Sequence, residues 1–266
     1  MIKIYNEDCF ETLNKLEKNS VDIVLTSPPY NTSRVSKSGD VEAKLRQDNG
    51  HFPDDRYDVH NDNMTNEEYC DFTKRLFLGF DKILKENGVV LYNISYGSEN
   101  SECMFRAINS ILVDTPFTIA DVIVWKKATA IPNNVSKNKL TRICEFVFVF
   151  CRETEFMTFT ANKMVVSSSS TGQDIYENIY NYVEARNNDE CCPYNKSTYS
   201  VELCTKLLGI YAPKNATVYD PFMGSGTTAV ACKKLRMNCY GSEISENQYK
   251  WANDRLSGVV LKNGLW

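Results

Sequence analysis

One glycine-containing turn and two acidic residues form a pattern that suits a nucleoside. Residues 219–228, YDPFMGSGTT, place Asp220 before two glycines that open a helical pattern. Because glycine has no Cβ, Gly224 and Gly226 let the backbone approach a ligand closely. Glu243 follows the next apolar run, 23 positions beyond Asp220, and an acidic side chain about 20 residues along meets ribose hydroxyls in nucleotide-binding folds. The lysine of a phosphate loop is missing, so a nucleoside without phosphates fits better than a dinucleotide.

A second unusual stretch, TSPPYN at residues 26–31, ends the apolar run VDIVL at residues 21–25. Two consecutive prolines remove two backbone donors and hold the chain extended, so this stretch can continue neither a sheet nor a helix. It therefore fixes two hydroxyls and a tyrosine ring at the end of a predicted strand. A tight turn with a packed tyrosine is the purely structural alternative.

Strand and helix patterns alternate along the chain. Apolar or β-branched runs predict strands at residues 21–25, 88–95, 117–125, 145–151, 216–222 and 238–244. Apolar positions three and four residues apart predict helices at residues 67–84, 201–212 and 227–236. This alternation is typical of an α/β fold with a mostly parallel sheet covered by helices on both faces. Ligands of such sheets bind at the carboxyl ends of the strands, where both unusual stretches lie.

Composition indicates one globular domain over residues 1–266, with 42% hydrophobic and 24% charged residues. No apolar stretch reaches the roughly 20 residues of a membrane span, and the N-terminus lacks a signal-peptide pattern. We therefore expect an intracellular protein without a membrane partner. Ten cysteines without a CxxC pair, and only two histidines, predict buried reduced thiols rather than a disulfide framework or a metal site.

The charge is unevenly distributed. The formal net charge is −4, yet residues 122–144 contain no acidic side chain. The same range contains five basic residues: Lys126, Lys127, Lys137, Lys139 and Arg142. A local basic stripe on an acidic chain is compatible with phosphate contacts, because binding depends on the local field. A solvated loop is the alternative interpretation.

Together, TSPPY and DPFMGSGTT resemble the catalytic motif and the S-adenosylmethionine motif of the amino-methylating DNA methyltransferases, in the permuted order of their β group. The resemblance covers most of the chain. It implies a Rossmann-like class I methyltransferase fold, S-adenosylmethionine as cofactor, and double-stranded DNA as substrate, with access to DNA inside the cell. It also suggests two further partners, a second copy of the chain and a cognate restriction endonuclease.

The resemblance assigns cofactor roles near both ends of the chain. In the N-terminal segment Asp8 would bond the adenine amino group, with Cys9 beside it. In CPYNKS, residues 192–197, Lys196 occupies the family's lysine position, although Cys192 stands where histidine is usual and Ser197 where proline is common.

In the glycine-containing turn, Asp220 would face the cofactor's methionine amino group, and Thr227 would bond its carboxylate. Phe222 would pack beside the cofactor, with core packing as the alternative. The set of cofactor residues in this part of the chain is therefore Asp220, Phe222, Gly224, Gly226, Thr227 and Glu243.

The resemblance also gives the stiff turn a chemical purpose. An exocyclic amino nitrogen is a poor nucleophile because its lone pair is delocalised into the base. Acceptors around it favour a tetrahedral nitrogen, and we expect these to be Ser27 Oγ and the Pro28 carbonyl, held rigidly by Pro28 and Pro29. Tyr30 would stack on a base extruded from the duplex. Direct transfer needs no covalent cysteine, and the Pro-Cys dipeptide of carbon-5 methylation is absent.

Base choice and substrate class stay open to several interpretations. SPPY goes mostly with cytosine N4 and DPPY mostly with adenine N6, so Ser27 favours cytosine N4, with adenine N6 as the alternative. Methylation of RNA or of a protein amide, and a catalytically inactive DNA-binding homologue, are less favoured. Enzymes that modify glutamine typically carry NPPY, which Ser27 does not match.

Two polar stretches interrupt the alternation of strands and helices. Residues 152–190 are the predicted target-recognition insertion, aided by the basic stripe on DNA phosphates. Residues 32–66 suit a mobile loop that closes over the cofactor and base, with simple disorder as the alternative.

Overall fold

The computed structural model describes residues 1–31, 64–97, 100–130, 132–134, 137–189, 192–195 and 198–258. Ten strands occur in these residues: β1 (Ile2–Tyr5), β2 (Val21–Thr26), β3 (Leu84–Ile94), β4 (Phe117–Lys127), β5 (Cys144–Arg152), β6 (Val165–Ser168), β7 (Asp174–Tyr176), β8 (Tyr182–Ala185), β9 (Thr217–Asp220) and β10 (Asn238–Ser242). Eight of them form one sheet in the order β1, β10, β9, β2, β3, β5, β4, β8, and β6 pairs with β7 in a separate antiparallel ribbon.

Most of the large sheet is parallel. The five strands from β1 to β3 in the sheet order run parallel to one another, β5 is antiparallel to both of its neighbours, and β4 is parallel to β8. The carboxyl ends of β1, β10, β9, β2 and β3 therefore meet at one edge of the sheet. Because β5 runs the opposite way, its amino end lies at the same edge.

Helices cover both faces of this sheet: α1 (Cys9–Lys15), α2 (Asn66–Ile83), α3 (Cys103–Asp114), α4 (Val201–Tyr211), α5 (Thr227–Leu235) and α6 (Glu246–Ser257). Successive residues of β2 point to opposite faces, so Ile23 and Leu25 pack with α4 and α5, whereas Val24 packs with α1, α2 and α3. A capping box fixes the start of α2, with the Thr65 hydroxyl and the Glu68 carboxylate each accepting the other residue's backbone N–H. None of the helices in the described ranges is long and apolar enough to cross a membrane.

The structure confirms the predicted fold class and all six predicted strands. The three predicted helices are also present. The predicted strand at residues 216–222 ends earlier, at Asp220, because Pro221 cannot donate to the ladder. Several elements went unpredicted, including the short strands β1 and β8 and the helix α6, since four-residue strands and a polar helix carry weak apolar patterns.

The predicted insertion at residues 152–190 is only partly separate from the main sheet, and its role in target recognition stays a prediction. Residues 152–190 are not wholly an insertion, because Arg152 ends β5 and β8 pairs with β4 in the main sheet. Only the part between these two strands, which includes the ribbon, stands outside the sheet. Of the predicted loop at residues 32–66, residues 32–63 lie outside the described residues, and Asn66 begins α2.

Candidate active site

A cavity of about 560 Å³ lies at the edge of the sheet where the parallel strands end. Its walls come from the segments that follow β1, β2, β9 and β10, as expected for an open α/β sheet. The two motifs identified in the sequence meet there. The predicted residues on the wall are Asp8, Cys9, Ser27, Pro29, Phe222, Gly224, Thr227 and Glu243.

The glycine-containing turn needs its glycines. Gly224 and Gly226 have φ values of 54° and 82°, in the left-handed region that glycine adopts without strain. A Cβ at Gly226 would also lie 2.9 Å from the Cβ of Ala252 in α6. The turn therefore packs directly on α6 before α5 begins.

Glu243 is a buried carboxylate fixed by backbone donors. It is 7% exposed, and its Oε2 accepts from the Gly224 N–H at 2.7 Å while Oε1 accepts from the Ser245 N–H at 2.8 Å. Each carboxylate oxygen can accept a second bond. Glu243 can thus receive ribose hydroxyls without giving up the bonds that hold it.

Asp8 and Cys9, at the start of α1, also lie on the cavity wall. The Asp8 carboxylate accepts from the Phe10 N–H at 2.8 Å and so caps the helix. Burial raises the pKa of the Cys9 thiol to about 12, with a smaller contribution from the charge of Asp8. Cys9 is consequently a neutral thiol that contributes shape rather than nucleophilic chemistry.

Aromatic rings form a wall that the sequence reasoning largely missed. Phe222 packs on Phe72 with 6.0 Å between ring centroids, and Phe72 meets Phe10 edge-on at 5.8 Å. The Arg75 guanidinium lies 4.4 Å from the Phe10 centroid. Phe222 is therefore both packed and on the cavity wall, while Phe10 and Phe72 come from helices whose patterns gave no local signal.

Asp220 lies behind the cavity wall, and its predicted contact with the cofactor's amino group stays a prediction. Its carboxylate is 1% exposed and accepts from the Thr26 hydroxyl at 2.8 Å and from the Phe222 N–H at 3.0 Å. The hydroxyls of Tyr199 and Thr228 complete the set at 3.0 and 2.6 Å. These four donors use both oxygens of the Asp220 carboxylate, which lies behind the cavity wall. The geometry therefore favours a role in joining the two motifs rather than direct contact with the cofactor.

Thr227 lies on the cavity wall at the start of α5, as predicted. Its hydroxyl accepts from Arg255 Nη1 at 3.0 Å, and Arg255 also forms a salt bridge with Asp189. Arg255 belongs to α6, far along the chain, and the sequence gave no reason to select it. Lys196 lies outside the described residues, and Asn195 beside it bonds Gln248 of α6 at 2.9 Å on the cavity wall.

The stiff turn at residues 26–31 is held at both ends. Thr26 donates to Asp220, and the Pro29 carbonyl accepts from the buried Tyr69 hydroxyl at 2.7 Å. Asn31 has a φ of 49°, and its side chain bonds both backbone polar groups of Met64. The rigidity predicted from the two prolines is thus reinforced by contacts on both sides.

A series of hydrogen-bonded polar side chains begins at Ser27. The Ser27 hydroxyl donates to Tyr30 Oη at 2.9 Å, and Tyr30 donates to Glu145 Oε2 at 3.0 Å. Asn93 Nδ2 lies within 3.3 Å of the oxygens of Ser27 and Tyr30 and 3.2 Å from Glu145. Glu145 and Asn93 went unnoticed in the sequence because they lie on other strands.

The predicted DNA-binding residues lie in three different environments. Lys126 and Lys127 form salt bridges with Glu184 and Glu145, so pairing reduces the charge that they offer to phosphate. Arg142 bonds the Tyr96 carbonyl and places its guanidinium 5.2 Å from the Tyr96 ring centroid. Lys137 and Lys139 are exposed.

The cavity residues fit an adenosine-bearing cofactor with an amino-acid tail. Glu243 can accept from ribose, Asp8 from an amino group, and the rings of Phe10 and Phe222 offer apolar surface to a base. Gly224, which has a left-handed backbone and lies on the cavity wall, lets a ligand approach the backbone just before α5. The nine described cysteines are free thiols, and no cluster of metal-ligating side chains occurs in the described part of the chain.

Comparisons with known proteins agree with this geometry. A family model described as "DNA methylase" matches residues 21–254. The Type II methyltransferase M.HinfI of Haemophilus influenzae is 26% identical over 265 residues, covering 96% of this chain and 68% of that protein. Among solved structures, the PvuII DNA methyltransferase (cytosine-N4-specific) has a TM-score of 0.72 at 16% identity, covering 100% of this chain and 88% of that one.

The crystal structure of the M1.HpyAVI–SAM complex has a TM-score of 0.60 at 21% identity and covers 96% of this chain and 100% of that chain. These solved structures share the fold, and the family match spans most of the present sequence. The chain belongs to the N6/N4 DNA methylase family, whose members are S-adenosylmethionine-dependent, amino-methylating DNA methyltransferases.

Proposed function

We propose that the protein methylates cytosine N4 at a specific sequence in double-stranded DNA. The observation that carries this proposal is Ser27, whose side chain lies on the wall of the same cavity as Glu243 and the glycine-containing turn. A hydroxyl acceptor at this position goes mostly with cytosine N4 in the family. Adenine N6 is the alternative, since a hydroxyl can accept from either amino group.

Acceptors around the amino nitrogen perform the first task of the reaction. Ser27 Oγ and the Pro28 carbonyl accept from the target amino group and direct its lone pair toward the methyl donor. The Tyr69 bond to the Pro29 carbonyl supports this arrangement because it fixes the turn from behind. S-adenosylmethionine supplies an activated methyl group when bound.

Base extrusion gives the turn access to its substrate. Chemistry on an amino group that is stacked and paired in a duplex is inaccessible, so the base must leave the stack. The half-buried Tyr30 ring stacks on the extruded base, and its hydroxyl, bonded to Glu145, keeps the ring in place.

DNA binding relies on the exposed part of the basic stripe. Lys137, Lys139 and Arg142 contact phosphates, and Lys126 and Lys127 contribute less because each is paired. The ribbon of β6 and β7, with exposed Val166 and Tyr176, contributes to sequence recognition. A second copy of the chain and a cognate restriction endonuclease stay predictions.

Mass spectrometry of nucleosides tests the proposal directly. A mixed-sequence plasmid is incubated with the protein and isotopically labelled S-adenosylmethionine, and the nucleosides are then separated. We expect labelled N4-methylcytosine from the wild type and none from Ser27→Ala, with cofactor binding retained in both. Labelled N6-methyladenine in place of N4-methylcytosine would overturn the choice of base.

A further inference from the structure

Ser27 lacks the negative charge that an aspartate would bring to the same position, but a carboxylate lies two hydrogen bonds away. Glu145 is the second residue of β5, and the antiparallel direction of this strand brings it to the edge where β2 and β3 end. Its Oε2 lies 3.0 Å from Tyr30 Oη, which lies 2.9 Å from Ser27 Oγ. Three strands that are separate in the sequence thus converge on one network.

The direction of the hydrogen bonds follows from the chemistry of the last member. An ionised carboxylate only accepts, and Glu145, whose side chain is 13% exposed, forms a salt bridge with Lys127. Tyr30 must then donate its single proton to Glu145, and Ser27 donates its own proton to Tyr30. The lone pairs of Ser27 Oγ are left to face other donors.

Asn93 supports the same arrangement from β3. Its Nδ2 group lies within donating distance of all three oxygens of the network. Its buried Oδ1 finds no hydrogen-bond partner within the described residues. An unsatisfied acceptor in a site usually has a specific reason, and a substrate amino group would satisfy it.

We propose that Glu145 is a positioning residue for methyl transfer. Through Tyr30 it holds the Ser27 hydroxyl proton directed away from the base, so that Ser27 Oγ can accept a hydrogen bond from the target amino group. This inference rests on the proposed function, because it needs an amino group at Ser27. It does not depend on whether that group belongs to cytosine or adenine.

Single-turnover kinetics of Glu145→Gln test this role. The amide can donate to Tyr30 and reverse the chain, so that the Ser27 proton points at the base. We expect the single-turnover rate at saturating DNA to fall about tenfold, with the dissociation constant for S-adenosylmethionine unchanged. Glu184→Gln is the matched control, because Glu184 forms the neighbouring salt bridge with Lys126, and it should keep the wild-type rate.

A double-mutant cycle with Tyr30→Phe separates positioning from a general structural effect. Phenylalanine keeps the ring and removes only the hydroxyl. If Glu145 acts through Tyr30, Glu145→Gln has no further effect on the rate in the Tyr30→Phe background. A rate for Glu145→Gln within about threefold of wild type, or an equal loss in both backgrounds, would overturn the proposal.

The outcome for Glu145 is separable from that of the proposed function. The wild type is measured in parallel on DNA, and its methylated nucleoside is identified. Adenine methylation by the wild type would overturn the choice of cytosine, yet the double-mutant cycle would still report on Glu145.

Discussion

The two halves of the cavity are held together in different ways. In the cofactor half, formed by the segments after β1, β9 and β10, Glu243 is fixed by backbone N–H groups. In the base half, formed by residues 26–31 with Asn93 and Glu145, side chains bond to side chains from three strands. Backbone donors survive any substitution except proline, whereas a side-chain network fails when one member changes. We therefore expect substitutions in the base half to affect the rate and those in the cofactor half to affect affinity.

Asp220 should give the largest effect because it joins the two halves. Asp220→Ala leaves Thr26, Tyr199, Thr228 and the Phe222 N–H without their acceptor. We expect a loss of about 3 kcal/mol in the free energy of unfolding and no detectable methylation. Urea unfolding measures the first, and Asp174→Ala on the exposed ribbon should change stability by less than about 0.5 kcal/mol. Equal stability of the two variants would contradict this role.

The pH dependence of the same variant sharpens this prediction. Burial raises the pKa of the Asp220 carboxyl, although its hydrogen bonds oppose the shift. A raised pKa in the folded state means that the contribution of this group is fully present below its unfolded pKa and is lost as the pH rises through its folded pKa. Urea unfolding over this range should show that decline in the wild type and not in Asp220→Ala.

Two glycines with the same backbone conformation test the close packing of the cofactor half. Gly226 and Gly172 have φ values of 82° and 80°, but a Cβ at Gly172 would meet nothing within 4 Å. Gly226→Ala should therefore cost about 2 to 3 kcal/mol, and Gly172→Ala only the backbone strain of about 1 kcal/mol. Thermal or urea unfolding of both variants measures the difference, and equal losses would show that Ala252 does not constrain the turn.

Glu243→Gln should weaken cofactor binding without slowing the bound enzyme. One carboxylate oxygen becomes an amide donor that faces a backbone N–H, so we expect affinity to fall about thirtyfold, or about 2 kcal/mol. Titration calorimetry with S-adenosylmethionine measures it. Glu246→Gln, three residues later in an exposed pair with Lys250, should change affinity less than twofold. A lower single-turnover rate of Glu243→Gln at saturating cofactor would contradict the distinction between the cofactor half and the base half.

Tyr69→Phe probes the support of the base half. Removal of the hydroxyl leaves the Pro29 carbonyl without the Tyr69 donor at 2.7 Å. We expect a loss of about 1 kcal/mol in stability and a severalfold slower single turnover, with unchanged affinity for S-adenosylmethionine. Tyr211→Phe changes a buried tyrosine at the end of α4, on the face of the sheet opposite Tyr69, and should leave the single-turnover rate unchanged.

The smallest effect concerns the basic stripe. Lys137→Gln should lower the slope of log affinity for DNA against log salt concentration by about 1. Lys126→Gln should change the slope less, because Glu184 already pairs with Lys126. Filter binding over a salt series measures both slopes. A larger change for Lys126 would show that its salt bridge opens on DNA.

Local patterns predicted the cofactor half better than the base half. Gly224, Gly226 and Glu243 were found because a turn, a helix start and one acidic residue lie within a short stretch. Glu145 could not be found in this way, since its partner Tyr30 is 115 positions away and only the antiparallel β5 brings them together. Asp220 was also selected from this stretch, but its donors Thr26 and Tyr199 could not be predicted from its neighbours along the chain.

The pairing of β1 with β10 has a consequence for the order of folding. Ile2 pairs with Cys239 and Tyr5 with Ser242. A strand near the start of the sequence can therefore form its hydrogen bonds only after almost all of the sheet has been synthesised. Contacts so distant along the chain slow folding, because loop closure precedes the gain from pairing. Asp8 follows β1, and Glu243 follows β10. We therefore expect a nascent chain to acquire cofactor affinity late, after β10 has left the ribosome.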